Sequence, residues 1–284
     1  MKWTAGNREN VDDVRGRSGG GMRMGGLGLG GLLVVLLLSW LTGVDFLSLL
    51  GPDGSAPPSA NTGSGDFRTT PEEEKLVDFV DAVMKDAQDA WRSTLGGRYQ
   101  PTRATIFRDA YPSACGMGQS ATGPFYCPAD QLVYLDLGFF AELRQRFGAP
   151  GDFAQAYVLA HEIGHHVQHL LGTDAQVRRL QQARPDQQNA LSVRLELQAD
   201  CYAGVWGHHA AKPGRVAQGK VELEAGDLEE GLNAAAAIGD DRIQRMSGGR
   251  VAPDRFTHGS SEQRVTWFRR GFDAGDYRAC ETFQ

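Results

Sequence analysis

Four of the seven histidines of this chain fall within nine residues: His161, His165, His166 and His169. Two of them belong to an H-E-x-x-H pattern in which Glu162 follows His161. On a helix, positions i and i+4 share one face, so His161 and His165 can bind the same zinc ion. Glu162 lies beside such a metal and can accept a proton from a water molecule there. This spacing is typical of zinc metallopeptidases.

The segment around the motif is apolar. Glu162 is its only Asp, Glu, Lys or Arg from Phe153 to Leu171. An ionised carboxylate inside an apolar helix is costly unless it has a partner or a function. The segment therefore indicates a working site, and a helix with incidental histidines is the weaker alternative.

A catalytic zinc also needs a third protein ligand and an open position. One known solution places a third His six residues after His165, but that position is Leu171. His169 cannot replace it, because ligands at i, i+4 and i+8 extend over about 12 Å of helix axis. We therefore expect His166 and His169 to support the site, to face substrate or to be solvated.

A later segment, Ser192–Trp206, offers the missing ligand. Glu196 and Asp200 are four residues apart and share a helix face. Small neighbours would let this helix approach the histidine helix closely: Ala199, Ala203 and Gly204. We expect Glu196 to bind zinc and Asp200 to accept the free N–H of a ligating histidine. A solvated acidic pair is the alternative.

The elements that position these residues follow from hydrophobic periodicity. Thr70, Pro71 and Glu73 carry the signals of a helix start, and the helix continues to Trp91. The sequences TRATIFR and QLVYLDL predict short strands. Further helices are predicted at about 138–147, 152–171, 186–210, 226–238 and 260–273. Early strands followed by helices predict an α+β domain, rich in helix, with a small sheet.

A candidate membrane span precedes this domain. Met24–Val44 has 21 residues without a charge, and a helix of that length measures about 31 Å, close to the hydrocarbon thickness of a bilayer. Five Lys or Arg residues precede it, and none lies between Asp45 and Phe67. The positive-inside rule then predicts a cytoplasmic N-terminus and an extracytoplasmic domain. A retained signal anchor is favoured over a cleaved signal peptide, because no A-x-A site directly follows.

Composition thus divides the chain into four parts: a Gly-rich cytoplasmic tail (1–23), a transmembrane helix (24–44), a flexible linker (45–71) and a catalytic domain (72–284). The linker is rich in Gly, Pro, Ser and Thr, with little apolar surface to bury. The net charge is −6 and no long basic run occurs. Nucleic-acid binding is therefore excluded as a function class.

The four cysteines, Cys115, Cys127, Cys201 and Cys280, all follow the apolar span. Outside the cytoplasm an even number of cysteines favours disulfides. Cys115 and Cys127 bracket a short loop and form the natural first pair, which leaves Cys201 with Cys280. Four unpaired thiols are the alternative. Zinc binding by cysteine is disfavoured, because no C-x-x-C spacing occurs.

At these residues the chain resembles the gluzincin metallopeptidases, which carry H-E-x-x-H and then a Glu ligand with an Asp four residues after it. More closely, it resembles the bacterial neutral zinc metallopeptidase family, including its Gly-rich N-terminus before one membrane span. Four segments carry this resemblance: GDFAQAYVLAHEIGHHVQHLLG, LELQADCYAGVW, EEGLNAAAAIGDDRIQ and FTHGSSEQRVTWFRRGF. The resemblance implies a zincin-like fold, one Zn²⁺ per chain and a peptide or protein substrate.

Two later residues join the site through this resemblance. His258 and Arg264 form a His-(x)5-Arg pattern, similar to a late motif of membrane-associated gluzincins related to the CAAX-processing proteases. A late His in thermolysin-like enzymes stabilises the oxyanion, which implies that role for His258, with Arg264 assisting it or holding its loop. A surface His with a structural Arg is the alternative. The resemblance also implies that the strand QLVYLDL forms the upper rim of the cleft and pairs with extended substrate.

We therefore expect a membrane-anchored metallopeptidase in which His161, His165 and Glu196 bind zinc and Glu162 is the general base. A zinc hydrolase of a non-peptide amide or ester would use the same site. A silent binding module stabilised by zinc is a third hypothesis. Such a module would not need Glu162, and structural zinc usually has four protein ligands.

Overall fold

The computed structural model describes residues 1–16, 68–119 and 123–283. Met1–Arg15 and Thr69–Gln284 form one compact unit. The predicted transmembrane helix, 24–44, and nearly all of the predicted linker lie outside the described residues. Among the helices that are described, none combines the length and the apolar character needed to cross a membrane.

A long helix, α1 (Pro71–Leu95), opens the main part of the unit. Its start has the predicted capping box: the Thr70 side chain accepts from the Glu73 amide, and the Glu73 carboxylate accepts from the Thr70 amide. Its apolar face enters the core through Val80, Met84 and Trp91 among others. The helix thus provides one wall against which the remaining elements pack.

A four-stranded sheet lies beside this helix, in the order β1 (Val11–Asp13), β2 (Ala104–Phe107), β6 (Leu132–Asp136) and β5 (Phe125–Cys127). β1 and β2 are parallel, as are β2 and β6, whereas β5 runs antiparallel to β6. The two predicted strands are β2 and β6, and they form the centre of the sheet. β5 is an edge strand, so one side of its backbone is not paired within this sheet.

A separate hairpin joins β3 (Ala110–Ser113) to β4 (Gly116–Gln119). A disulfide connects the turn of this hairpin, at Cys115, to Cys127 at the end of β5. A second disulfide, Cys201–Cys280, ties the C-terminal segment to the domain. The predicted pairing of all four cysteines is confirmed.

The N-terminal residues differ from the predicted division of the chain. Residues 1–23 were expected to form a tail apart from a domain beginning at residue 72. In the structure β1 pairs in register with β2, Val11 opposite Ala104 and Asp13 opposite Ile106. A strand of three residues has too few side chains for an alternating pattern to stand out. The domain therefore includes residues 1–15.

The remaining helices follow the sheet. Their bounds are α2 (Gly138–Gln145), α3 (Asp152–Leu171), α4 (Thr173–Ala183), α5 (Gln188–Ala210), α6 (Asp227–Ala237), α7 (Asp240–Met246) and α8 (Ser261–Ala274). The sequence predicted α3 with the bounds observed. It did not predict α4 or α7, and α4 is separated from α3 only by Gly172, with φ of 78°. The predicted helix-rich α+β fold is confirmed.

Three helices cross closely at the centre of the unit. A Cβ atom on Gly164 of α3 would lie 2.9 Å from the Ala199 carbonyl oxygen of α5. A Cβ on Gly271 of α8 would overlap the Cys201 carbonyl oxygen of α5. Glycine at these two positions lets α3 and α8 approach the backbone of α5, and side chains from all three helices meet.

Candidate metal centre and active site

The crossing of α3 and α5 brings His161, His165 and Glu196 together. The Nε2 atom of His161 lies 3.1 Å from Nε2 of His165 and 3.1 Å from Oε2 of Glu196. The Nε2 atom of His165 lies 3.4 Å from Oε1 of Glu196. One potential ligand atom from each residue thus lies within 4.8 Å of the other two.

This donor set fits zinc. Two ligands of a tetrahedral zinc ion, each bound at about 2.0–2.1 Å, lie about 3.3 Å from one another. The three observed separations of 3.1–3.4 Å match that spacing. Two imidazoles and one carboxylate are also the donors of catalytic sites that leave one position open. The residues present can therefore hold a zinc ion.

Asp200, four residues after Glu196, holds the ring of His161. The Nδ1 atom of His161 donates to Oδ1 of Asp200 at 2.8 Å, which leaves Nε2 for a metal. Burial alone would lower the pKa of His161, but the carboxylates of Asp200 and Glu196 together outweigh it and raise the pKa to about 10. The Asp200 carboxylate thus strengthens His161 as a base.

Arg264 lines the cavity and also holds Asp200. Its Nε and Nη2 atoms donate to the two Asp200 oxygens, each at 2.9 Å, and its side chain is 3% exposed. The Tyr157 hydroxyl also donates to Asp200. Burial raises the pKa of Asp200, but Arg264 and His161 lower it more, so its pKa stays below the usual value. Arg264 thereby keeps Asp200 ionised.

Gln168 has the corresponding role for His165, and the sequence did not indicate it. The Nδ1 atom of His165 donates to Oε1 of Gln168 at 2.8 Å. The Gln168 amide nitrogen donates in turn to the Leu195 carbonyl oxygen at 2.7 Å and to Oε1 of Gln198 at 3.1 Å. Its position three residues after His165, on the same helix face, was the available signal.

Glu162 lines the same cavity as the candidate ligands. The cavity has a volume of about 580 Å³ and opens to solvent. Its apolar wall includes Val158, Phe139 and Ile238. A substrate in this space can therefore contact Glu162 and the three candidate ligands together.

His258 also lines the cavity, where it is held by Asp240. The backbone N–H groups of Thr257, His258 and Gly259 donate to Oδ2 of Asp240 at 2.6–3.1 Å. The Nδ1 atom of His258 lies 3.2 Å from Oδ1 of the same carboxylate. This hydrogen bond is the main cause that raises the pKa of His258. The His258 side chain remains 52% exposed and accessible to a ligand.

The two other histidines of α3 serve the structure around the site. His166 is fully buried, donates from Nε2 to the Gln100 carbonyl oxygen at 2.7 Å and accepts at Nδ1 from the Tyr126 hydroxyl at 3.0 Å. It therefore links α3 to β5. The Nδ1 atom of His169 lies 3.0 Å from Oδ2 of Asp174 at the rim of the cavity.

The strand expected at the rim of the cleft is not the one found there. QLVYLDL corresponds to β6, which is paired on both sides by β2 and β5 and has no free edge. The cavity is instead lined by β5 and its flanks, including Pro124, Phe125 and Tyr126. β5 was not predicted, because its three residues give no visible alternation.

A helix-borne H-E-x-x-H with a Glu donor on a crossing helix is the donor arrangement of zinc metallopeptidases. From residue 1 to residue 283 the chain matches the family model described as "Putative neutral zinc metallopeptidase". The protein belongs to this family. The family points to zinc as the metal and to a peptide or protein as the substrate.

Two relatives illustrate the extent of the similarity. "Uncharacterized protein YpfJ" of Escherichia coli strain K12 is 48% identical over 298 aligned positions, which cover 100% of this chain and 99% of the relative. "Uncharacterized protein Rv2575" of Mycobacterium tuberculosis strain H37Rv is 42% identical over 223 positions, 76% of this chain and 74% of the relative. No solved structure matches the chain significantly.

Proposed function

We propose that this protein hydrolyses peptide bonds with one zinc ion per chain, held by His161, His165 and Glu196. The observation that carries the proposal is the convergence of their ligand atoms at 3.1–3.4 Å beside Glu162. Family membership supports the same conclusion.

The side chains around the donor set have separate roles in this proposal. Zinc, when bound, would act as a Lewis acid toward water and the substrate carbonyl. Glu162 would accept a proton as water attacks the carbonyl carbon and would transfer it to the leaving amine. His258 would donate a hydrogen bond to the oxygen that gains negative charge.

The cavity favours a polypeptide substrate. β5 is an edge strand, so its outer backbone groups can pair with an extended peptide. The same strand lines the cavity that contains Glu162. A peptide added to β5 would therefore pass the candidate metal centre, and backbone pairing would give affinity with little dependence on sequence.

The decisive experiment compares the full-length protein with Glu162→Gln. We expect about one zinc per chain in both proteins and casein hydrolysis slower by about 10²–10⁴-fold in the variant, the usual contribution of a general base. Glu142→Gln is the matched control. Glu142 lines the same cavity but is neither a candidate zinc ligand nor the proposed base. It should retain both zinc and activity.

Each contrary result identifies a different error. Zinc absent from the unaltered protein would contradict the ligand set. Undiminished hydrolysis by Glu162→Gln would contradict the role of the base. Cleavage of small esters or non-peptide amides, with casein left intact, would identify a hydrolase of another class.

A further inference from the structure

A series of three hydrogen bonds leads from His165 away from the cavity. The Nδ1 atom of His165 donates to Oε1 of Gln168 at 2.8 Å, and Nε2 of Gln168 donates to Oε1 of Gln198 at 3.1 Å. The Nε2 atom of Gln198 then donates to the backbone carbonyl oxygen of Cys280 at 3.0 Å. Gln168, Gln198 and Cys280 are all buried, so water does not compete for these bonds.

The direction of the three bonds is set at the end far from the cavity. A backbone carbonyl oxygen can only accept, so the amide nitrogen of Gln198 faces Cys280 and its oxygen faces Gln168. Gln168 then turns its nitrogen toward Gln198 and its oxygen toward His165. An acceptor at Nδ1 keeps the hydrogen of the neutral ring on that atom and leaves the lone pair of Nε2 for a metal. The Cys280 carbonyl thus favours the tautomer of His165 that can bind zinc.

Gln168 has a second acceptor, the Leu195 carbonyl oxygen, which lies 2.7 Å from its Nε2 atom. This bond favours the same direction and ties Gln168 to α5. The amide nitrogen carries two hydrogens, and Leu195 and Gln198 accept one each. Without Gln198, one buried N–H of Gln168 would be left unpaired, which favours a change in the position of Gln168. Both acceptors are therefore needed to hold the amide in place.

Two contacts with α5 hold the Cys280 carbonyl in position. The disulfide joins Cys280 to Cys201 of that helix. Two residues further along the chain, Oγ1 of Thr282 donates to the Arg194 carbonyl oxygen at 2.8 Å. Arg194, Gln198 and Cys201 recur at i, i+4 and i+7, so the segment Cys280–Thr282 lies along one face of α5. The disulfide and Thr282 together fix the carbonyl to which Gln198 donates.

We propose that Gln198 is a positioning residue for His165, and that the Cys201–Cys280 disulfide supports the metal centre by holding the carbonyl bonded to Gln198. The inference rests on the proposed zinc site and is independent of the substrate. Among the described residues, the cavity lining includes Gln168 but not Gln198, so Gln198 acts through Gln168. The disulfide thereby gains a function besides stability.

Zinc affinity of the full-length protein, measured by competition with a chromophoric chelator, tests the role of Gln198. Gln198→Leu keeps a similar side-chain volume but removes both hydrogen bonds. It should weaken zinc binding by about 10-fold, the lower end of the usual range for groups that support a ligand. Equal affinity in this variant and in the parent would overturn the proposal.

Gln88→Leu is the matched control. Gln88 is also buried, and its side chain likewise donates one hydrogen bond, to Asn10, and accepts one, from Thr102. This variant should lose a similar amount of stability in urea unfolding but keep the zinc affinity of the parent. Equal weakening of zinc binding by Gln88→Leu and Gln198→Leu would mean that general destabilisation causes the effect, and would overturn the positioning role.

A double-mutant cycle tests whether Gln198 acts through Gln168. If it does, Gln198→Leu should cause little further loss of zinc affinity in a protein that already carries Gln168→Ala. Two losses that add in full would show that Gln198 does not act through Gln168, which contradicts the proposal.

Removal of the disulfide tests the second part of the proposal. The paired change Cys201→Ser and Cys280→Ser should weaken zinc binding, whereas Cys115→Ser with Cys127→Ser, the control, should not. Serine leaves no thiol that could bind zinc itself. Equal affinity in the two paired variants would remove the disulfide from the support of the metal centre.

The parent protein separates failure of this inference from failure of the proposed function. A parent that binds no zinc would contradict the ligand set, and this inference with it. A parent that binds zinc as tightly as Gln198→Leu would overturn only the inference about Gln198. Casein hydrolysis does not enter this test, so a different substrate class would leave its result unchanged.

Discussion

The two candidate histidine ligands have different partners. His161 donates to the carboxylate of Asp200, whereas His165 donates to the neutral amide of Gln168. An anionic partner makes an imidazole more basic, while an amide mainly fixes its orientation. The two ligands therefore depend on their supporting residues in different ways.

This difference predicts the effect of Gln168→Ala. The variant should bind zinc about 10–100-fold more weakly, because His165 loses the group that aims its Nε2 atom. Competition with a chromophoric chelator measures the affinity. Gln155→Ala is the matched control, because Gln155 lies on the same helix and its side chain donates to the Gly151 carbonyl oxygen. Equal affinities in the two variants would rule out an orienting role for Gln168.

The pair of His258 and Asp240 predicts the alkaline limit of activity. With Nδ1–H directed at Asp240, Nε2 carries a hydrogen only when the ring is protonated, so donation to an oxyanion is lost as pH rises through the pKa of His258. Asp240 raises that pKa. Asp240→Asn should lower it and move the alkaline fall of kcat/KM to lower pH.

Asn retains an oxygen for the backbone N–H groups of the loop, which limits the structural damage in this variant. Asp254→Asn, at an exposed position nearby, is the control and should leave the profile unchanged. A profile that is identical in Asp240→Asn and the parent would remove His258 from the proposed mechanism.

At the residue scale, the sequence indicated those site residues that lie one helical turn from another site residue on the same helix. His161 and His165, and then Glu196 and Asp200, are each one helical turn apart, so their common faces were visible. Asp240 and His258 are 18 positions apart and meet only through the fold. Tyr157 contacts Asp200 across two helices. No local pattern marks such pairs.

At the scale of elements, the site depends on how closely three helices cross. Gly271→Ala would normally stabilise a helix by about 0.5–1 kcal/mol. Here the added methyl group meets the Cys201 carbonyl oxygen, so α8 must move away from α5. We expect a loss of about 2 kcal/mol of unfolding free energy in denaturant titrations. The displacement should also weaken zinc binding, because α8 carries Arg264.

Gly97→Ala is the matched control, since a Cβ atom there has no neighbour within 4 Å. It should unfold like the parent. If Gly271→Ala is as stable as Gly97→Ala, then α8 can move away from α5 without a loss of unfolding free energy.

The sequence predicted long elements better than short ones. α3 has twenty residues, carries Glu162 as its only Asp, Glu, Lys or Arg after Asp152, and ends at a glycine in a left-handed conformation, so both of its bounds were visible. β1 and β5 have three residues each. Their places in the sheet are set by pairing with distant strands, which no local pattern reveals.

At the scale of the molecule, the two disulfides should contribute unequally to stability. Cys201–Cys280 closes 79 positions and Cys115–Cys127 closes 12. Loop entropy then gives about 4.5 and 2.8 kcal/mol, respectively. Replacing each pair by serine in the full chain, followed by urea unfolding, should give the larger loss for Cys201 and Cys280. A larger loss from the shorter loop would show that loop entropy does not control the difference.

The N-terminal strand also sets an order of events during synthesis. Val11 and its partner Ala104 are 93 positions apart (104 − 11), an interval of about 5–20 s at ordinary translation rates. The ribosome releases β1 first and the apolar run next, long before β2 exists. β1 must therefore remain unpaired until β2 has been made. Any factor that moves or traps the first fifteen residues in that interval decides whether the domain can complete its sheet.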